Sequence, residues 1–364
     1  MRVLVVGAGI AGLSLATALT NCSIDCDLVE RDREWTTVGA GVTLSPNGMR
    51  ALRTLGLADA VEAAGQPIEL VRTLTERGEL RSEFPGEVWE GVGRTVAIHR
   101  AALQEVLRTG ARDVSVRLGT TVTRLAPSDD AVEASFSDGT SGRYDLVVGA
   151  DGIRSTVREI CFHDTPPQYV GQMYWRTSVR ADVVGTATMM FDERRFVALI
   201  PLGSGQTYVA AQLFGTAPFE LAPADVVPVA REHFADFGSP MAEALAHFDG
   251  GTVHFGPAEE IERDQWRVGR VLLVGDAAHA CSPTLAQGAS MAFEDAVVLA
   301  DLLDGVTHGT VSLHRALDVF VARREPRARW VRERTRLHME VLNDGSPELA
   351  GLLRETYDHL AMPI

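Results

Sequence analysis

The chain is short of cysteine, of aromatic residues and of positive charge, and each shortage removes a class of protein. Four cysteines in 364 residues are too few for a disulfide framework. Cys22 and Cys26 are spaced for one face of a helix or its exit rather than for a metal knuckle, so free thiols in a reducing compartment are expected, Cys161 and Cys281 included. Arginine and lysine together number 34 against 49 acidic residues, a formal charge of −15. That balance disfavours a surface built to neutralise nucleic-acid phosphates or anionic lipids. No apolar run reaches membrane-crossing length, and Met1 to Val6 leads straight into strand character with no room for a secretory signal. These absences predict a cytoplasmic protein with no nucleic-acid partner, no integral membrane association and no metal site, and they leave the oligomeric state open.

What is present is the composition of an ordinary globular protein, long enough for a large α/β domain with an inserted lobe or for two domains. The opening VLVVGAGIAGLSLA reads as strand, tight turn and helix, and a second strand ends at Glu30. In that setting Gly7 permits the turn, Gly9 lets backbone approach a pyrophosphate, and Gly12 allows close helix packing. Glu30 stands where a carboxylate accepts hydrogen bonds from a ribose. This unit alone does not distinguish NAD from FAD. Two later segments, DLVVGADGIRSTVR and VGRVLLVGDAAHACSPTLAQGASMAFEDA, add strand ends at Asp151 and Gly275–Asp276, the second followed by a loop and a helix near Gln287. Between them, runs such as MYWRTSV, RFVALIPL and TYVAAQLF predict an antiparallel sheet. The expected fold class is α/β: a Rossmann-like domain, FAD-binding by the resemblance given below, with an inserted antiparallel sheet lobe and C-terminal helices. Residues 1–70, 98–165 and 255–330 form the first, 71–97 and 166–254 the lobe, and 331–364 a helical end, with Pro326 expected to kink or break the second of two late helices.

Three separated motifs in this order resemble the group A flavoprotein monooxygenases, the para-hydroxybenzoate hydroxylase-like family. The branch with salicylate hydroxylase, 3-hydroxybenzoate 6-hydroxylase and FAD-dependent urate hydroxylase is most similar. The likeness extends from GAGIAGLSLA through GVTLSPNG and IHRAALQEVL to FVARREPRARWV. It implies a single-component enzyme that binds FAD, takes NADH or NADPH as a transient co-substrate, and hydroxylates a small aromatic or heteroaromatic substrate with O2 through a flavin hydroperoxide. It also implies a cofactor set of Gly7, Gly9, Ala11, Gly12, Glu30, Arg31, Arg100, Asp151, Asp276, Pro283, Gly288, Ala289 and Ser290. Asp276 can accept hydrogen bonds from a sugar-type hydroxyl or cap a helix, and Asp151 can pair with Arg158 while serving the cofactor. Relatives carry glycine where this chain has Ala286, which puts the backbone angles of that loop in question. The alternatives are an FAD-dependent epoxidase or reductase, or a flavin-binding protein without turnover.

No side chain is expected to perform the chemistry, which the flavin carries. His279 is read as structural. Arg195, Tyr208 and Gln212 come from lobe strands and are the candidates for orienting the substrate, although alternation alone leaves either face available as the inner one. The run Arg323 to Arg336 reads as the solvated face of a helix. The chain ends soon after its last helix, so the thioredoxin-like C-terminal domain of larger relatives is not expected.

Overall fold

The computed structural model describes residues 1–35, 40–86, 94–162, 166–181, 184–344 and 349–364. Arg2–Val6 forms the centre of a six-stranded sheet, between Leu146–Gly149 and Asp25–Val29, with Val271–Leu273 and Val116–Arg117 further out. These pairings are parallel, and only the edge strand Arg267–Val268 runs the other way. Val3 to Val6 and Leu146 to Val148 are buried on both faces, as their unbroken apolar runs require, because helices cover a parallel sheet on each side. One cover is the helix Ile10–Asn21, packed against the 20-residue helix Gly288–Thr307. This is a Rossmann-like arrangement, and the main core sits around it.

The second large layer is a seven-stranded sheet, referred to below as the lobe sheet. Its strands lie in the order His254–Glu260, Gln168–Val179, Gln206–Phe214, Arg195–Gly203, Ala187–Phe191, Leu70–Thr75 and Leu80–Pro85. All neighbours are antiparallel except Ala187–Phe191 with Leu70–Thr75, which are parallel. The division expected between residues 254 and 255 falls inside a strand that pairs with Gln168–Val179, so that strand belongs to the lobe sheet. The division at 165 lies outside the described residues. One face of the sheet is sealed by the helices Val226–His233 and Met241–Ala246 through an apolar cluster around Trp175, Phe234 and Met241. The other face turns toward the nucleotide sheet.

The helix Leu313–Asp344 continues through Pro326, so of the kink or break expected there the break does not occur. Its arginine run is not a solvated face, since Arg324, Arg327 and Arg332 are all buried. Arginines at helical spacing look like a wet stripe in one dimension, whereas here they meet carboxylates contributed by another helix. The last helix, Leu349–Ala361, is held at its C-terminal carbonyls by Arg50, which reaches Ala361 and Met362, and by Arg327, which reaches Leu360. Among the described residues no helix is long and apolar enough to cross a membrane.

Candidate active site

The cradle begins where the first strand stops. Gly7 has φ +101°, and a Cβ there would stand 2.6 Å from the Ala150 carbonyl oxygen, so only glycine fits. A Cβ on Gly12 would stand 1.8 Å from the Gly7 oxygen, which fixes how closely the helix Ile10–Asn21 approaches the turn. Gly9 differs, because a Cβ there would meet nothing within 4 Å. The turn is therefore packed on both sides and open at its middle, above a helix N-terminus with no acidic residue in its first turn. Glu30 closes one end: its carboxylate accepts hydrogen bonds from the Ala8 and Asp32 amides at 2.7 and 3.0 Å. Arg31 and Arg100 are exposed at the rim, Arg100 opening the helix Arg100–Gly110.

The second motif sits beside the first. Asp151 accepts from Val157 N at 3.1 Å and from Ser155 Oγ, capping the short helix Thr156–Phe162, and Gly152 turns the chain with φ +77°. Enclosure raises the Asp151 pKa, against those hydrogen bonds. Arg158, buried, donates to the carbonyls of Ile153 and Ala277, so it ties this turn to the third motif.

The third motif touches the first directly. Gly275 has φ +57°, and a Cβ there would lie 2.8 Å from that of Ala11. Asp276 is exposed although the residues on either side of it are buried, and its carboxylate lies beside Gly288, 3.8 Å from where a Cβ there would stand. Pro283 starts a 3-10 turn that ends at Ala286, whose φ of +52° is left-handed. An L residue there is strained by about 1–2 kcal/mol, which a glycine would relieve. Gly288 and Ala289 then open the long helix Gly288–Thr307, again without an acid in its first turn. The Ser290 hydroxyl packs against the helix Pro46–Thr54, where a Cβ on Gly48 would meet it at 2.4 Å.

Behind this loop lies a buried ionic network that the sequence reading missed. Glu294 receives Arg324, Arg327 and the Asn47 amide, while Asp295 receives Arg324, the Gly275 amide and His279. Burial works against charge on both acids, and the facing cations win, holding Asp295 down to about 2 and Glu294 below its ordinary range. His279 is accordingly a structural partner, 2.7 Å from Asp295. Gln287 extends the network to the loop, donating to Ser45 Oγ and accepting from Asn47. The signal in the sequence was the adjacent acid pair inside the otherwise apolar run MAFEDAVVLA.

Strand register decides the substrate-positioning candidates. Arg195 lies on the sealed face: it pairs with Asp192 and Asp236, donates to the His233 carbonyl, and stacks on Phe237. A cavity of about 870 Å³ is lined by these same groups and by none of the nucleotide motifs. Arg195 is thus spent on structural partners away from the cradle and is withdrawn as a substrate contact. Tyr208 and Gln212 lie on the other face, Tyr208 against Gly41 and Gln212 with its Oε1 buried and unpartnered. Also on that face is Gln172, which accepts from Tyr174 at 2.6 Å and from Ser282 at 2.7 Å. That last bond fastens the lobe sheet to the loop carrying Asp276 and Pro283.

These residues suit a flavin dinucleotide. The backbone around Gly9 is open, neither helix, Ile10–Asn21 or Gly288–Thr307, carries an acidic residue in its own first turn, and Glu30 and Asp276 each place a carboxylate just after a strand of the nucleotide sheet. A Rossmann-like sheet with this second strand-end carboxylate and an antiparallel lobe facing it defines a flavoprotein of the oxygenase type. Residues 1–335 match the model of the FAD binding domain family, and the chain belongs to that family. It is similar to the aurachin C monooxygenase/isomerase of Stigmatella aurantiaca, 35% identical over 83% of this chain and 80% of the relative. It is also similar to the FAD-dependent urate hydroxylase of Klebsiella pneumoniae, 34% identical over 90% and 87% of the two chains. The crystal structure of Klebsiella pneumoniae HpxO with FAD and uric acid superimposes with a TM-score of 0.87 at 31% identity, covering 99% of this chain and 92% of the other. The protein is an FAD-dependent monooxygenase of the aromatic hydroxylase type.

Proposed function

We propose that the protein uses NADH or NADPH and O2 to hydroxylate a small aromatic or heteroaromatic substrate lying between the cofactor cradle and the inner face of the lobe sheet. The observation that carries this reading is the unsatisfied polar chemistry of that face. Gln212 Oε1 and Ser178 Oγ are buried without a partner, a state that costs free energy unless a ligand completes it. They sit on a wall fastened to the flavin loop by Gln172 and Ser282.

When bound, FAD supplies the electron transfer and the oxygen activation. The chain's own task is placement. Gly7, Gly9, Ala11 and Gly12 admit the pyrophosphate to backbone amides, Glu30 and Asp276 accept from the sugar hydroxyls, and the amides from Gly288 to Ser290 face the ring edge. Arg31, Arg100, Asp151 and Pro283 complete the cofactor contacts. Gln212 and the Tyr208 phenol orient the substrate, and burial raises the Tyr208 pKa, which keeps it a neutral hydrogen-bond donor. The reading includes a cytoplasmic location, supported by four cysteines that are all free.

The test is to record the visible spectrum of the purified protein and follow NADH and NADPH oxidation under air with phenols, hydroxybenzoates, urate and alkylquinolones. Substrate-stimulated oxidation with a product heavier by one oxygen is the expected result. Bound flavin that no compound stimulates would favour a reductase or a flavin-binding protein without turnover.

A further inference from the structure

We infer that Arg176 and His254, on the inner face of the lobe sheet, form an anion-binding lip that receives an acidic oxygen group of a ligand entering the cleft. The inference rests on the monooxygenase reading only for what the cleft is used for, and the lip itself follows from strand register.

Arg176 stands opposite Ala210 on one neighbouring strand and opposite His254 on the other. In the same strand Tyr174 and Ser178 flank it at the two-residue spacing of one face, and their partners across the sheet are Gln212 and Tyr208. Arg176 therefore shares its face with the side chains already placed against the cleft. Its guanidinium lies 4.5 Å from the Tyr174 ring centroid, which holds it in one orientation. Beyond Ala210 the next strand contributes Ala198, so the ground beside Arg176 is floored by two methyl groups and is bounded on its far side by Phe196 and Ile200. Ala198 and Ala210 belong to a small apolar cluster with Ile68, Ala97 and Ile200, so the cation stands at the edge of an apolar patch.

The electrostatic setting is unusual for this chain. It carries a net charge of −15 and contains no lysine, so its fixed side-chain cations are all arginines. Most buried ones are matched: Arg324 and Arg327 by Glu294, Arg195 by Asp192 and Asp236. Among the described residues no carboxylate pairs with Arg176 or with Arg100. Arg176 and His254 face each other across neighbouring strands. Burial lowers the His254 pKa, and Arg176 and Arg100 lower it further, while both arginines also act on Tyr208. His254 thus stands near neutral pH as an uncharged hydrogen-bonding group beside a guanidinium fork, a pairing suited to a carboxylate, an enolate oxygen or a phosphate. Two sources can bring such a group, an aromatic acid or the phosphates of the nicotinamide dinucleotide.

The experiment compares wild type with Arg176→Gln and Arg176→Lys in the FAD-loaded protein, reading Kd from flavin absorbance changes or calorimetry. The probes are salicylate, its neutral counterpart salicylamide, NADPH and inorganic pyrophosphate. Loss of a charge-assisted pair predicts salicylate weakened roughly tenfold or more in Arg176→Gln with salicylamide changed less than about twofold. Arg176→Lys is expected to fall between, because charge remains and the fork is lost. If NADPH and pyrophosphate weaken instead, the lip serves the dinucleotide. Wild-type protein that binds no anionic probe, or Kd values for all of them that ignore Arg176→Gln, would overturn the inference. Retained flavin spectra and unchanged melting show that the variants fold. NAD(P)H oxidation stimulated by any aromatic compound is scored separately, so the lip can fail while the monooxygenase reading stands, or the reverse.

Discussion

The lobe sheet has two faces made from the same strands by the same alternation, and they obey opposite rules. Among the described residues the outer face carries no buried side-chain polar atom without a partner. Trp175 donates to the Val226 carbonyl at 2.8 Å inside a ring of Phe219, Phe234 and Phe255, and Arg195 is held by two carboxylates. On the inner face Gln212 and Ser178 keep orphaned oxygens, and Arg176 keeps a charge that no described carboxylate meets. The outer face is finished by the chain itself, whereas the inner one is left for something else to finish. An enzyme wall and a core wall can thus differ by one residue of register, and unsatisfied polar atoms distinguish them better than hydrophobicity does.

The strongest way to break this contrast is Trp175→Ala. Removing the largest fully buried side chain of the outer face should cost about 3–5 kcal/mol of stability, measured by denaturant unfolding, and leave ligand affinity of the folded protein unchanged. A large affinity change would mean that the faces are not independent. Gln212→Leu should do the opposite. It removes an orphaned oxygen, so stability should hold or rise by up to about 1–2 kcal/mol, while the aromatic substrate's KM rises. A loss of stability there would show that Gln212 is a core residue after all.

One source of acid sensitivity lies outside both faces. His338, between the last two helices, has its Nε2 3.0 Å from Thr356 Oγ1, and burial first and Arg334 second lower its pKa to about 4. The unfolded chain then binds a proton that the folded chain refuses. This contribution is complete above about pH 6.5 and disappears as pH falls toward 4. The melting temperature should therefore fall across that window, less steeply in His338→Gln, and an identical slope in both proteins would exclude this histidine as the cause. The smallest effect belongs to the cofactor loop: Ala286→Gly should stabilise by about 1 kcal/mol by releasing the left-handed strain, read as a modest rise in melting temperature.

The two sides of the cleft were not equally legible in the sequence. Gly7, Gly12 and Gly275 act through backbone, and a position that a side chain cannot occupy without strain or collision announces itself in one dimension. The inner face is set by register, and no residue in TYVAAQLF says which way Tyr208 points until neighbouring strands are in place. Tyr208 and Gln212 landed inside and Arg195 outside for that reason alone. Arg324 and Arg327 were misread because their partners Glu294 and Asp295 are some thirty residues away, and a charge is classed as solvated until its counter-ion is found.

The nucleotide sheet has a further consequence for how the protein is made. Its central strand is Arg2–Val6, but the strand that carries the Gly275 turn is Val271–Leu273, and the two are separated by most of the chain. During synthesis at about 5–20 residues per second, the first glycine turn waits on the order of half a minute before the surface that it packs against leaves the ribosome. A nascent chain therefore displays a phosphate-type turn long before it owns a flavin site. Only a polypeptide extended through the helix Gly288–Thr307 can retain the cofactor, so synthesis interrupted before it should yield colourless fragments.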